Sequence, residues 1–127
     1  MLVEQFNEYE PVAGARIDGI RTLRENAADL AGLSIAYEAY QLSLGGRPGP
    51  VIDGLTAAQR FVIAWARIWR SRERDDYLRQ WVITVPHAPP KFRANGAVAH
   101  LPAFYKAFDV KPGDHLFRPP HQRVVIW

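Results

Sequence analysis

Leu23-Arg24-Glu25-Asn26-Ala27-Ala28-Asp29-Leu30-Ala31-Gly32-Leu33 is the stretch on which the reading of this chain turns. It opens an apolar, Ala-rich segment that predicts a helix running to Leu44. Leu30, Leu33, Tyr37 and Tyr40 recur at spacings of three, four and three, which draws a stripe for burial down one face. Glu25 and Asp29 stand one helical turn apart, so both carboxylates share a face. A carboxylate beside a buried stripe needs a partner charge, a metal or hydrogen-bond donors, because desolvation penalises an unpaired charge. Two simpler readings stand beside that one. The acids can occupy a solvated first turn, favoured by the positive end of the helix dipole. Glu25 also lies three residues after Thr22, the spacing of a capping box.

Working outward, Leu2 to Tyr9 predicts a short helix with Leu2, Phe6 and Tyr9 on one side, broken by Pro11 and Gly14. Asp18-Gly19 between Ile17 and Ile20 predicts a tight turn or short hairpin. Gly45, Gly46, Pro48, Gly49 and Pro50 end the central helix and form a loop. Thr56 then caps a second helix, with Gln59 completing the box and Phe61, Val62, Trp65, Ile68 and Trp69 forming a face for burial. Arg70 to Asp76 predicts a solvated turn, and a shorter helix follows through Tyr77, Leu78, Trp81 and Val82. The prolines and glycine between Val85 and Gly96 predict a loop, and Val98 to Phe108 a last short helix. The tail reads as irregular until Val124-Val125-Ile126-Trp127, which predicts a packed, strand-like end. The expected class is mainly α with irregular Pro-rich loops, in a single domain covering residues 1–127.

Composition narrows the function. An apolar fraction of 48%, with four Trp, five Tyr and six Phe, is enough to fill one core. The absence of cysteine excludes disulfides. The net charge of +3 is mild and its basic residues are dispersed, which argues against a nucleic-acid surface. No apolar run approaches the ~20 residues of a membrane span. The N-terminus lacks the apolar region and cleavage site of a signal peptide, so a soluble chain with no visible address is expected.

Three segments carry a resemblance. Residues 24–40, RENAADLAGLSIAYEAY, resemble the Glu-Asn-x-x-Asp segment of the neprilysin family of zinc metallopeptidases. Residues 84–96, TVPHAPPKFRANG, resemble the family's His-Ser-Pro-x-x-Phe-Arg motif. The closing FRPPHQRVVIW is similar to the family's C-terminal ending, in which the final Trp packs into the domain. The resemblance implies the C-terminal helical subdomain of a thermolysin-like catalytic domain that hydrolyses peptide bonds with zinc-activated water. It implies Glu25 as the third protein ligand to zinc and Asp29 as the carboxylate orienting a zinc-binding His, a common supporting arrangement. It implies His87 as the donor to the developing oxyanion and Arg93 as the clamp on a substrate carbonyl. In residues 61–71, FVIAWARIWRS, it places Ile68 and Trp69 at the pocket for the residue after the scissile bond, whereas helical spacing alone reads them as core. Arg24 and Ala31 stand where the family usually has Gly, Ala88 where it has Ser, and Val85 where it commonly has Asp.

The family's His-Glu-x-x-His helix and its Asn-Ala-x-Tyr segment are not in this sequence, whose histidines are His87, His100, His115 and His121. The last three match no catalytic position and read as surface or core. The chain therefore resembles the portion of a peptidase that follows the zinc helix. It is expected to be inactive alone and to hold no zinc, since catalytic zinc takes three protein ligands. The expected partners are a peptide substrate in the longer enzyme and the upstream half of the catalytic domain. The resemblance suggests an envelope, periplasmic or secreted enzyme. The alternative is a non-catalytic interaction module, or a split subunit, that docks on another chain. Surface stripped of its upstream cover also predicts a homodimer or larger assembly through the region of Leu30, Tyr37 and Trp69, with or without exchange of the N-terminal segment.

Overall fold

The central helix, α2 (Leu23–Ser43), forms in the computed structural model where its apolar stripe requires it. The structure describes residues 1–126. Leu30 and Leu33 are buried, and Tyr37 and Tyr40 are half-buried. Leu44 caps α2 instead of extending it, and Gly45 and Gly46 turn the chain away with φ of 59° and 75°. Left-handed backbone of this kind favours glycine because it lacks a Cβ. The other helices are α1 (Leu2–Asn7), α3 (Ala57–Ile68), α4 (Asp75–Thr84), α5 (Pro90–Val98) and α6 (Pro102–Phe108). Among the described residues no strand forms, apart from isolated bridges between Val12 and Ala15 and between Ile52 and Leu55. The mainly helical class holds.

Two apolar clusters hold the helices. One gathers Leu2 and Phe6 of α1, Val12, Ala15, Ile17, Val82 of α4 and Ala88. The other gathers Leu33, Val62, Ala97, Val98, Leu101 and Phe104, uniting α2, α3, α5 and α6. Tyr40 stacks on Phe61 at 5.8 Å, and Tyr37 meets the same ring edge-on at 5.1 Å. The turn before α2 docks directly on α1. The Gly19 N–H donates to Asn7 Oδ1 at 2.7 Å, and a Cβ on Gly19 would stand 2.2 Å from the Val3 carbonyl oxygen. Only glycine admits that approach.

Several local expectations are corrected. Thr22 does not cap α2 in a box with Glu25. Its hydroxyl donates to the Asp18 carbonyl and accepts from Asn26 Nδ2, which leaves Glu25 free to face elsewhere. Of the two forms expected at Asp18-Gly19 the tight turn is the one that forms, with Asp18 Oδ1 accepting the N–H groups of Ile20 and Arg21. Residues 85–96 are not all loop, because α5 begins at Pro90. Proline at a first helical position has the right φ and removes an N–H that has no helical partner there. The helix expected over residues 98–108 is accordingly shorter: Val98 ends α5, residues 99–101 turn the chain, and α6 begins at Pro102. Ile68 does not join the face for burial and is 71% exposed. The C-terminal residues 123–126 are not a strand; Val124 packs against the first cluster and Val125 is exposed, while the packing expected of Trp127 lies outside the described residues.

Of the residues expected on a self-association face, Tyr37 and Trp69 stay partly exposed and Leu30 does not. Leu30 is only 1% exposed, because α1 and α5 both pack on α2 and α1 folds back within its own chain.

The box at Thr56 forms as expected. The Thr56 hydroxyl accepts the Gln59 N–H at 3.3 Å, and Gln59 Oε1 accepts the Thr56 N–H at 2.9 Å. Gln59 Nε2 also donates to the Ala107 carbonyl, so the cap joins α3 to the end of α6. Replacing Thr56 by Ala is expected to cost about 1 kcal/mol, read as a lower urea midpoint with an unchanged slope.

Candidate active site

The first two turns of α2 aim Glu25 and Asp29 at two different partners. His87 lies in the short link between α4 and α5, and its Nε2 sits 3.0 Å from Glu25 Oε2. The link is rigid. Trp81 Nε1 donates to the His87 carbonyl at 2.7 Å, Ala88 is fully buried, and Pro89 and Pro90 follow. The Glu25–His87 contact is a hydrogen bond from a neutral ring carrying its proton on Nε2, or an ion pair when the ring is charged. Both side chains are about one-third exposed, His87 at 37% and Glu25 at 32%, so solvent reaches the pair.

One turn further along, Asp29 takes Arg93 in a two-pronged grip. Arg93 Nε donates to Oδ2 at 2.7 Å and Nη2 to Oδ1 at 2.8 Å. This pair is mostly withdrawn from water, Asp29 being 11% and Arg93 18% exposed. The guanidinium also lies over the Trp69 ring, with Cζ 4.0 Å from the centroid. Trp69 itself meets Trp65 edge-on at 5.5 Å, and Trp65 Nε1 donates to the Ala94 carbonyl next to Arg93. Carboxylate and aromatic face together fix the plane of Arg93. Its Nη1 makes none of the bonds to Asp29 and remains a donor.

Five of the six residues singled out from sequence therefore fall into two linked groups: Glu25 with His87, and Asp29 with Arg93 and Trp69. Ile68 stays apart from both, exposed one residue before Trp69. Arg93 stands on α5 rather than in a loop, which places it opposite α2 where those two helices pack. Asp29 faces an arginine here, with both of its oxygens engaged. Arg93 in its sequence context reads equally as a structural ion-pair partner, but the sequence names neither Asp29 as that partner nor the stack on Trp69, although acidic and basic side chains on two helices of one core are a signal for such contacts.

These residues do not make up a zinc site. Among the described residues no three His, Asp or Glu side chains converge on one point. Catalytic zinc takes three protein ligands and an open position. Glu25 supplies one carboxylate, and Asp29 is committed to Arg93.

The family model described as peptidase family M13 matches residues 1–124. Endothelin-converting enzyme 1 of Bos taurus is 34% identical over 129 residues, covering 99% of this chain and 17% of that protein. Neprilysin-3 of Drosophila melanogaster is 30% identical, covering 99% of this chain and 16% of that protein. The crystal structure of zinc metalloprotease ZMP1 of Mycobacterium tuberculosis in complex with inhibitor superposes with a TM-score of 0.96 at 48% identity, over 99% of this chain and 20% of that one. PepO from Lactobacillus rhamnosis HN001 matches with a TM-score of 0.79 at 32% identity, over 99% of this chain and 18% of that one. The chain thus spans about one-sixth of the length of these curated relatives. Sequence and fold agree from end to end of the match, and the chain belongs to peptidase family M13.

Proposed function

We propose that this chain is one domain-sized C-terminal portion of the catalytic domain of a zinc-dependent endopeptidase, supplying part of the active site and inactive by itself. The observation that supports the reading is the pairing of Glu25 with His87 and of Asp29 with Arg93, one turn apart on α2. Both pairs join segments that resemble the family's catalytic motifs.

Metal-activated water is the chemistry that zinc supplies to such enzymes, and Glu25 is the residue of this chain that would hold it. The work of the other residues is binding and orientation. His87, held through its carbonyl by Trp81, presents Nε2 as a donor to the oxygen that gains charge when a peptide carbonyl is attacked. Arg93, fixed by Asp29 and Trp69, offers its Nη1 edge to a substrate backbone carbonyl. Trp69 and the exposed Ile68 border the place of the side chain that follows the cleaved bond. Asp29, in this reading, holds Arg93 in position and would orient a zinc-binding His of the upstream part. The partners are a peptide substrate and the upstream part of the catalytic domain, and the setting is the cell envelope or the exterior.

The isolated chain is expected to bind no zinc at Glu25 and to cleave no peptide. A stoichiometric zinc that disappears on Glu25→Ala, or chelator-sensitive peptide hydrolysis, overturns that expectation. The full reading is tested by grafting the chain in place of the matching segment of the Mycobacterium tuberculosis enzyme. The graft should retain zinc and peptidase activity and lose both on Glu25→Ala. A folded graft whose zinc is indifferent to Glu25 refutes the assignment.

A further inference from the structure

His100 takes no part in the proposed chemistry, yet it is one of the most deeply buried polar side chains, at 2% exposure. It follows α5 and touches two distant parts of the chain. Its Nε2 lies 2.6 Å from Gln5 Oε1 of α1, and its Nδ1 lies 3.0 Å from the Val124 nitrogen. The proton positions follow from the network. Gln5 Nε2 is committed as a donor to the Tyr9 hydroxyl at 2.9 Å and the Gly96 carbonyl at 3.2 Å. Gln5 Oε1 is therefore an acceptor, so His100 carries its proton on Nε2. That leaves a lone pair on Nδ1, which is what the Val124 N–H requires. The ring is neutral, and both its nitrogens are satisfied.

We infer that His100 is a proton-operated latch, which holds the C-terminal segment around Val124 against the helical body while neutral and releases it when Nδ1 is protonated. Protonation turns the acceptor into a second donor, so two N–H groups then point at each other. The surroundings make this worse. Arg118 and Arg123, both on the C-terminal side, add positive charge. The Arg123 guanidinium is itself pinned over the Tyr105 ring at 3.5 Å. Just past α1 the titratable neighbour is Tyr9, reached through Gln5; burial pushes the Tyr9 hydroxyl further toward neutrality. On α2 the charged group lining the shared groove is Glu38, which is exposed and makes no hydrogen bond to the ring among the described residues. Among the described residues no carboxylate hydrogen-bonds the ring. Burial first, then Arg118 and Arg123, push the imidazole down from 6.5 to about 4.

The released segment exposes something specific. His100, Val124 and Val125 line one wall of an apolar groove of about 750 Å³, whose other wall is Ile35 and Leu42 of α2. Release widens that groove without touching Glu25 or Arg93.

The sign follows from linkage. The released ring binds protons with an ordinary imidazole pKa and the latched ring with a lower one. Acidification through that interval favours release, and above it pH has no effect. Amide exchange by NMR, corrected for the intrinsic rate, tests this on the chain itself. Val124 should lose about thirtyfold of its protection between about pH 8 and about pH 5, from an imidazole moved between 6.5 and about 4, while Leu30 and Leu33 stay protected. In His100→Gln, which keeps a donor and an acceptor but does not titrate, that step should vanish. Ring nitrogen shifts of His100 in the unsubstituted chain should show Nε2 protonated and Nδ1 bare at about pH 7, whether or not the variant folds. Loss of Val124 protection only together with Leu30 and Leu33, a pH-independent Val124, or a protonated Nδ1 at neutral pH each overturns the latch.

Discussion

Phe6→Ala is expected to lower the unfolding free energy by about 4 kcal/mol, the largest loss from any single side-chain truncation in this chain. Phe6 is 2% exposed and sits at the centre of the first apolar cluster. Its ring meets Tyr9 edge-on at 5.3 Å, and its tip faces Gly96, where an added Cβ would stand 2.5 Å from Cζ. The ring thus fills the space that the missing side chain of Gly96 leaves in α5. Truncation removes the transfer energy of a benzyl group and leaves a cavity between α1 and α5. Neither helix closes that gap easily, because α1 is pinned by Gln5 to the Gly96 carbonyl and by Asn7 to Gly19. A domain of this kind has only about 5–15 kcal/mol in hand, so the variant should stand near the edge of folding at 25 °C. Urea unfolding followed by tryptophan fluorescence measures it. A loss below about 1.5 kcal/mol, the range of surface or well-accommodated changes, would show that α1 is a loosely attached arm and that the core lies elsewhere.

The contrast between helices that were legible and those that were not has a local cause. The α2 stripe and the Thr56–Gln59 box are written in residues three or four apart, and both appear as read. The same kind of pattern misled at Thr22, whose hydroxyl found Asp18 and Asn26 instead of a backbone N–H of α2. In α5 the pattern was masked by Pro86, Pro89 and Pro90, two of which lie before the helix while the third occupies its first position. The candidate site was legible as residue types and motifs, but not as contacts. Asp29 and Arg93 are 64 positions apart, and Gln5 and His100 are 95 apart. Spacing along one helix says which side chains share a face. It says nothing about which distant residue the tertiary fold brings to that face. Ile68 shows the converse limit: the helical period marked it for burial, but it lies at the last residue of α3, where the helix has run past its neighbours.

Asp29→Ala is expected to cost about 3 kcal/mol, and Glu25→Ala less than about 1 kcal/mol, although the two acids share one face of one helix. The difference lies in what each removal leaves behind. Without Asp29 the Arg93 guanidinium stays largely buried against Trp69, with Nε and Nη2 stripped of their acceptors. An unpaired cation out of water is the expensive outcome, more so than the attraction lost. Without Glu25, the His87 ring is already more than one-third exposed and turns to water, while its carbonyl stays held by Trp81. Removing both partners separates the two terms. Asp29→Ala combined with Arg93→Leu should recover about half of the single loss, because no charge is then stranded, and a double-mutant cycle reads the coupling. Equal costs for the two single variants would mean that the Asp29 grip is no stronger than a surface pair. The expected asymmetry also bears on function. Under the proposed metal-holding role Glu25 would exchange His87 for another partner, and its exposure makes that exchange cheap for the fold. Asp29 cannot exchange Arg93 in that way, because Arg93 depends on it for charge and position. Chemical denaturation of the three variants decides this without any activity assay, so it stands whether or not the remainder of the active site is present.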